Sequence, residues 1–415
     1  MDFSNDWMDE FKLRFSLGQT GNAASGASLY LGSYASGDNY MDMSAITPST
    51  MQLNRLKWET TTEYNTGLDA SFLKGKLRFT VDVYQKYIKD LLQKKVKMPT
   101  SIGYGNGYEV SYMNSGKMTN KGWEFRVDAV PFENRDWRVG FYFNIAHNEN
   151  KITEMPDNYT EENYTFNNGE YAYRREEGRP MGSFYGYRYK GVCQNKDATY
   201  ARDADGNVMK DISGNAIVMR NGTATIAPGD ALYEDINHDG VINQYDIVYL
   251  GNSNPRFTGG AGVNVSYKQF KLSAIFYGRY GQDVVNSTRL NNESMRGIDN
   301  QSTAVLRRWR NEGDQTDIPR ALYGEGYNTL GSDRFVEDAS YLRLKSLSFN
   351  YRLPKKIIQR WGFSNIDVYV TGYNLFTWTK YTGQDPEVKT ENTYARDSAT
   401  TPASIQLVAG FNLSF

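Results

Sequence analysis

Residues 235–246, DINHDGVINQYD, space oxygen-bearing side chains as a hard cation requires. Asp235, Asn237, Asp239, Asn243 and Asp246 fall at positions 1, 3, 5, 9 and 12 of an EF-hand-type loop, with Gly240 at the turn and the Val241 carbonyl at position 7. Calcium gathers roughly six to eight such oxygens around a tight turn, and this stretch supplies that set. Position 12 holds Asp instead of Glu, which shortens the reach of the last ligand. No helical pattern flanks the loop. The expected role is therefore a structural Ca2+ clip that stiffens a long loop, set against an Asn/Asp/Gly turn that holds no metal.

Other chemistry is sparse. One cysteine, Cys193, and two histidines, His147 and His238, exclude a disulfide framework, a cysteine-built metal centre and a multi-histidine zinc site. His147 reads onto the polar side of a strand and His238 lies inside the acidic loop. Neither has a Ser or Cys in an elbow beside it, so no hydrolytic triad is expected. A glycosidase carboxylate pair is defined by separation in space, and nothing in the chain singles one out. GYGNGYE at 103–109 lacks the following Lys-Ser/Thr and a βαβ setting, so it reads as a turn. The chain is not expected to be an enzyme. With 47 basic and 48 acidic residues its net charge is -1, which leaves no field to draw nucleic acid.

The elements that position these residues read as strands. Aromatic residues make up 14% of the chain and are dispersed among polar ones. GWEFRVDAV (122–130) sets Trp123, Phe125, Val127 and Ala129 against Glu124, Arg126 and Asp128. WRVGFYFNI (137–145) sets Trp137, Val139, Phe141, Phe143 and Ile145 against Arg138, Tyr142 and Asn144. Like runs at 11–17, 76–84, 270–277 and 365–373, with weaker ones, predict about a dozen strands of membrane-crossing length. The best helical pattern is 302–312. No apolar run is long enough for a membrane-spanning helix.

Short turns at 73–76, 132–136 and 267–270 alternate with long polar loops at about 19–55, 149–183, 192–254, 280–335 and 377–403. That asymmetry predicts an all-β, antiparallel transmembrane β-barrel with short periplasmic turns and long extracellular loops. A soluble β-sandwich alternates too, but rarely carries so many charges on the minor face of so many strands. Trp58, Tyr84, Tyr87, Trp123, Trp137, Tyr369, Trp378 and Tyr381 are candidate belt or lumen-rim residues. SIQLVAGFNLSF (404–415) alternates to the end and stops on Phe415, which suits a terminal strand that closes a barrel in lipid and carries the barrel-assembly signal.

The runs LKWETTTEYNTGLDASFLKGKLRFTVDVYQKYIKDLL (56–92), NSGKMTNKGWEFRVDA (114–129), DINHDGVINQYDIVYLGNSNPRFTGGAGVNVSYKQFKLSAIFYGRYGQDVVN (235–286), SYLRLKSLSFNYRLP (340–354) and NIDVYVTGYNLFTWTKYTGQDPEV (365–388) resemble the barrel of SusC/RagA-type TonB-dependent transporters of Bacteroidetes. The resemblance implies a plugged 22-stranded outer-membrane barrel. It also implies contact with TonB and a SusD-like surface lipoprotein as lid. MDEFKLRFSLGQTGN (8–22) resembles a point partway through that barrel. No signal peptide, TonB box, plug or first strands find a counterpart, so 1–415 is expected to be a C-terminal barrel portion, with TonB reached through the absent N-terminal region.

The implied function is import of a bulky nutrient, an oligosaccharide or an oligopeptide. The Tyr- and Asn-rich loop 158–175 suits sugars by stacking and amide bonding, and suits peptides nearly as well. No individual substrate-binding residue is assigned. The alternatives are a secreted or surface all-β, calcium-dependent glycan-binding protein and, less favoured, a β-sandwich glycosidase.

Overall fold

The computed structural model describes residues 7–26, 29–41, 43–98, 100–102, 104, 109–155, 169–325, 327–391 and 394–415. Ten long strands form one antiparallel sheet in chain order: β1 (Met8–Asn22), β2 (Glu59–Phe72), β3 (Leu77–Lys89), β4 (Lys117–Glu133), β5 (Trp137–Glu154), β6 (Phe257–Tyr267), β7 (Phe270–Tyr280), β8 (Tyr341–Arg352), β9 (Asn365–Thr379) and β10 (Gln406–Ser414). Ten strands, where the sequence suggests about a dozen, build this wall. Shorter strands belong to the loops.

A period of two and a fixed register give the wall two unlike faces. One cross-strand row runs Leu13, Leu68, Val81, Phe125, Ile145, Gly259, Gly278, Leu342, Trp378. The next row, on the opposite face, runs Lys12, Asp69, Thr80, Arg126, Asn144, Gly260, Tyr277, Arg343, Thr377. The apolar face stays uncovered: Leu13 is 70%, Phe15 72%, Leu407 74% and Phe411 68% exposed. Apolar rows this long are unusual on a surface that meets water and expected on one that meets lipid.

Three of the four hairpins at one end are tight, and the fourth, 353–364, carries a short helix, Lys355–Ile358. Leu73, Lys74 and Gly75 all take positive φ between β2 and β3, and Lys268 does so between β6 and β7. At the other end lie the excursions 23–58, 90–116, 155–256, 281–340 and 380–405. The expected loops 149–183 and 192–254 belong to a single excursion, inside which Ser183–Gly186 pairs with Val248–Asn252.

The last three excursions fold together as a cap. Tyr171 and Phe184 of the first, Val285, Leu290 and Phe335 of the second, and Tyr394 of the third share one apolar cluster. Val284 and Ala339 share another with Tyr381, Val388 and Ala395. Backbone pairing joins them too, since Asp283–Asn286 lies between Val336–Asp338 and a parallel Tyr394–Asp397. Fully burying one large apolar side chain such as Phe184 or Phe335 stabilises by about 1.5–3 kcal/mol, so the cap has a core of its own.

The pattern at 302–312 yields a short 3-10 turn, Thr303–Arg307, and no longer helix. The chain straightens at Arg308 so that the Trp309 amide donates to the Ile318 carbonyl at 2.9 Å, a tertiary bond that overrides local periodicity.

Candidate functional site: polar face and loop cap

The 235–246 stretch is a closed, hydrogen-bonded loop. Asp235 accepts from the Gly240 amide at 2.7 Å and the Asp239 amide at 3.3 Å. Asn237 accepts from the Asp239 amide at 3.2 Å and donates to the Asp239 carboxylate at 2.9 Å, while Asp239 also accepts from the Val241 amide at 2.8 Å. Asn243 donates to the Val241 carbonyl at 3.0 Å and accepts from the Tyr245 amide at 2.9 Å. Asp246, at the last position, closes the ring by accepting from the Ile236 and Asn243 amides, both at 2.8 Å.

Asp246 is fully buried, and burial pushes its carboxyl above the usual carboxylate range. The two amides act against that rise and Asp235 adds to it. His238 and Gly240 take the positive φ the turn needs. All six expected donors thus share one turn, though three of them are amide or carbonyl groups. Among the described residues, no cluster of three or more His, Cys, Asp or Glu side chains is gathered for a metal.

Two similar turns escaped the sequence reading. Asp203 accepts from the Asp205 and Asn207 amides and Asp211 from the Ser213 and Asn215 amides, all between 2.8 and 3.0 Å. The repeat DADGN, DISGN eight residues apart is the signal that would have found them.

The polar face carries its charges in pairs. Arg14 reaches Asp69 at 2.8 Å and crosses a whole strand to Asp82 at 3.0 Å. The crossing passes over Gly67, where a Cβ would sit 2.6 Å from the ends of Arg14 and Asp82 and would have to push that pair aside. Arg126 grips Asp128 in two bonds of 2.7 and 2.8 Å. Near the cap, the almost fully buried Arg343 donates to Thr377 at 2.8 Å, Glu387 at 2.8 Å and Asp385 at 2.5 Å, and Lys345 joins Glu387 at 2.7 Å. This knot ties excursion 380–405 to β8. Strand parity alone places Arg343 and Lys345 on this face, but their partners lie some 40 residues away in a loop and leave no local trace.

Inside the cap, Asp230 takes two bonds from Arg320, at 2.7 and 3.1 Å, and one from Asn328 at 3.2 Å. Glu293 binds Arg334 at 2.7 Å and Arg289 at 3.0 Å.

Several expected positions need correction. His147 is on the apolar face: it pairs with Trp123, and its ring lies 5.3 Å from Phe257 and 6.2 Å from Trp123. Its odd number in a strand whose odd residues are apolar carries that information. Tyr381 is no belt residue, because it is buried in the cap and donates to Asp397 at 2.6 Å. Trp123 and Trp378 do join aromatic groups at the loop end of the apolar face, and Trp137 stacks on Tyr267 at 4.3 Å at the turn end. Tyr84 and Tyr369 lie on the polar face. Phe415 is 90% exposed, with its ring 5.0 Å from Phe363. Loop 158–175 up to Asn168 and the glycine-rich stretch 103–109, apart from Tyr104 and the backbone of Glu109, lie outside the described residues.

A meandering antiparallel wall that is apolar on one face and charged on the other, with aromatic belts, tight turns at one end and folded loops at the other, is the wall of an outer-membrane β-barrel. The chain belongs to the TonB dependent receptor-like β-barrel family, whose profile matches residues 2–375. It is 31% identical over 397 residues, 92% of its length, to TonB-dependent receptor P3 of Formosa agariphila. It is 27% identical over 428 residues to TonB-dependent receptor SusC of Bacteroides thetaiotaomicron, which covers 98% of the chain. It spans 36% and 38% of those two relatives.

Among solved structures, the RagAB peptide transporter matches all of the chain at TM-score 0.72 and 26% identity, with 42% of that chain covered. The wall is therefore of the SusC/RagA type and sits in the outer membrane. The family is one of receptors and transporters, not enzymes.

Proposed function

We propose that this chain supplies the barrel wall and the extracellular capture loops of a TonB-dependent importer that takes up a bulky nutrient, an oligosaccharide or an oligopeptide, together with a SusD-like surface lipoprotein. One observation carries the reading: a polar, charge-bearing face runs from β1 to β9 and ends beneath a cap with its own core, while the opposite face is apolar apart from the paired Gly259 and Gly278. Paired charges suit a wetted interior that must not trap its cargo, because each is already neutralised by a neighbour. The 22-stranded, plugged form and contact with TonB are part of the same proposal, and family membership supports them. Phe415, the residue after β10, is proposed as the mark read during barrel assembly. The secreted glycan-binding alternative does not fit the exposed apolar rows.

In this reading loop 235–246 holds Ca2+ as a structural clip. Asp235, Asn237, Asp239, Asn243, Asp246 and the Val241 carbonyl would be its ligands, and the cation would offset the burial of the Asp246 carboxylate.

Uptake tests the reading. Cells dependent on the whole receptor should take up labelled oligomers of one cargo class, and lose uptake when either TonB or the lipoprotein is removed. Uptake unaffected by both deletions would overturn it.

A further inference from the structure

The apolar row breaks off at one place. Side chains cover the membrane face from Leu13 to Ile145 and again at Leu342 and Trp378, but between them stand Gly259 and Gly278, paired directly across β6 and β7. The result is a groove of about 710 Å³ near the loop end of the wall. Its volume lies within the roughly 300–1,000 Å³ of pockets that bury a small ligand. Ile145 and Phe257 wall one side, Leu342 and Trp378 the other, and Ala261 lies further along the same face of β6. The glycines are fixed by their neighbours: a Cβ on Gly259 would meet the Asn144 carbonyl at 2.5 Å, and one on Gly278 the Tyr341 carbonyl at 2.7 Å. The depression is thus built into the backbone.

At the rim stand exposed Lys380 and Asp338. Asp338 accepts from both the amide and the hydroxyl of Ser340 and is held within its own turn. Lys380 is the exposed cation at the mouth, with Asp338, whose Ser340 partners are uncharged, an exposed anion of the same rim, at the depth where headgroups meet an aromatic belt.

We propose that the groove seats one acyl chain of a phosphate-bearing lipid of the outer leaflet, with the phosphate against Lys380. Its continuity with the membrane-facing rows makes lipid the occupant, and its floor and walls come from neighbouring strands of this chain. The proposal rests on the membrane orientation of the wall and is independent of the cargo.

The test uses the whole receptor in phosphatidylcholine nanodiscs doped with a phosphatidylglycerol carrying a diazirine on its acyl chain. After photolysis, adducts should concentrate on peptides containing residues 257–261 and 276–280, about tenfold above those on the equally lipid-facing 405–413. Ala261→Trp, which fills the groove from the lipid side, should bring them down to that background. Leu342→Trp does the same from β8, and retained heat-modifiable migration shows that each variant is folded. Lys380→Gln should lower adducts from the phosphatidylglycerol probe, and to a smaller extent those from a matched phosphatidylcholine probe, whose choline already offsets its phosphate. Even labelling of all lipid-facing strands, or labelling indifferent to both tryptophans, would overturn the groove. Phosphatidylglycerol adducts undiminished by Lys380→Gln would overturn the phosphate contact.

Discussion

Asp246 and Arg343 show how much rests on single side chains. Asp246→Ala strips the Ile236 and Asn243 amides of their acceptor, and each buried donor left unpaired costs about 1–3 kcal/mol. Amide exchange across 235–247 should speed by one to several orders of magnitude, on the order of the same energy, and Ca2+ should no longer slow it. Wild-type exchange that ignores Ca2+ would remove the cation and leave only the turn.

At Arg343 the expected effect depends on pH. Asp385 is held below its ordinary value: burial pushes it up, and the Ala403 amide, Arg343 and the Glu387 amide together outweigh that push. A depressed carboxylate stabilises fully above its unfolded value of 3.8, and the contribution disappears as pH falls through the lower folded value. Excursion 380–405 should therefore loosen below about pH 4, read as protease cleavage in that segment. Arg343→Met should produce the same loosening at neutral pH, at a cost of about 3 kcal/mol. The acidic loop was legible because its ligands are consecutive. The Arg343 knot was not, because its acids are far away in sequence and only the folded cap delivers them.

For the strands, alternation placed the residues of 122–130 and 137–145 on the faces they take, since a slip of one would invert all the others, but it could not show the register shift between Leu344 and Ser346 that reverses the parity within β8. It failed where a residue's chemistry suggested one face and its parity the other, as with His147. It was equally silent about the cap, whose strands are two to five residues long and have no room for a period. Gly67 offers an element-scale test. Gly67→Val places branched carbons where Arg14 crosses to Asp82, so β1 and β2 should separate more easily, with the folded fraction falling by about 1–3 kcal/mol in urea titration. Gly18→Val, where nothing lies within 4 Å, should be nearly neutral.

For the whole molecule, the account stands on which face meets lipid. Val263 and Asn264 are neighbours near the middle of β6 on opposite faces of the wall. Val263→Arg should cost about 2–4 kcal/mol of membrane stability and Asn264→Arg much less, measured as folded fraction on unheated gels. The most direct measurement is spin-label accessibility along this strand, with single labels at 261, 263, 264, 265 and 266 in membranes. Cys193 stays silent there, being buried with its thiol pushed up to about 11. Oxygen should reach labels at 261, 263 and 265 preferentially, and not those at 264 and 266. A uniform profile, or the inverse one, would contradict the membrane wall.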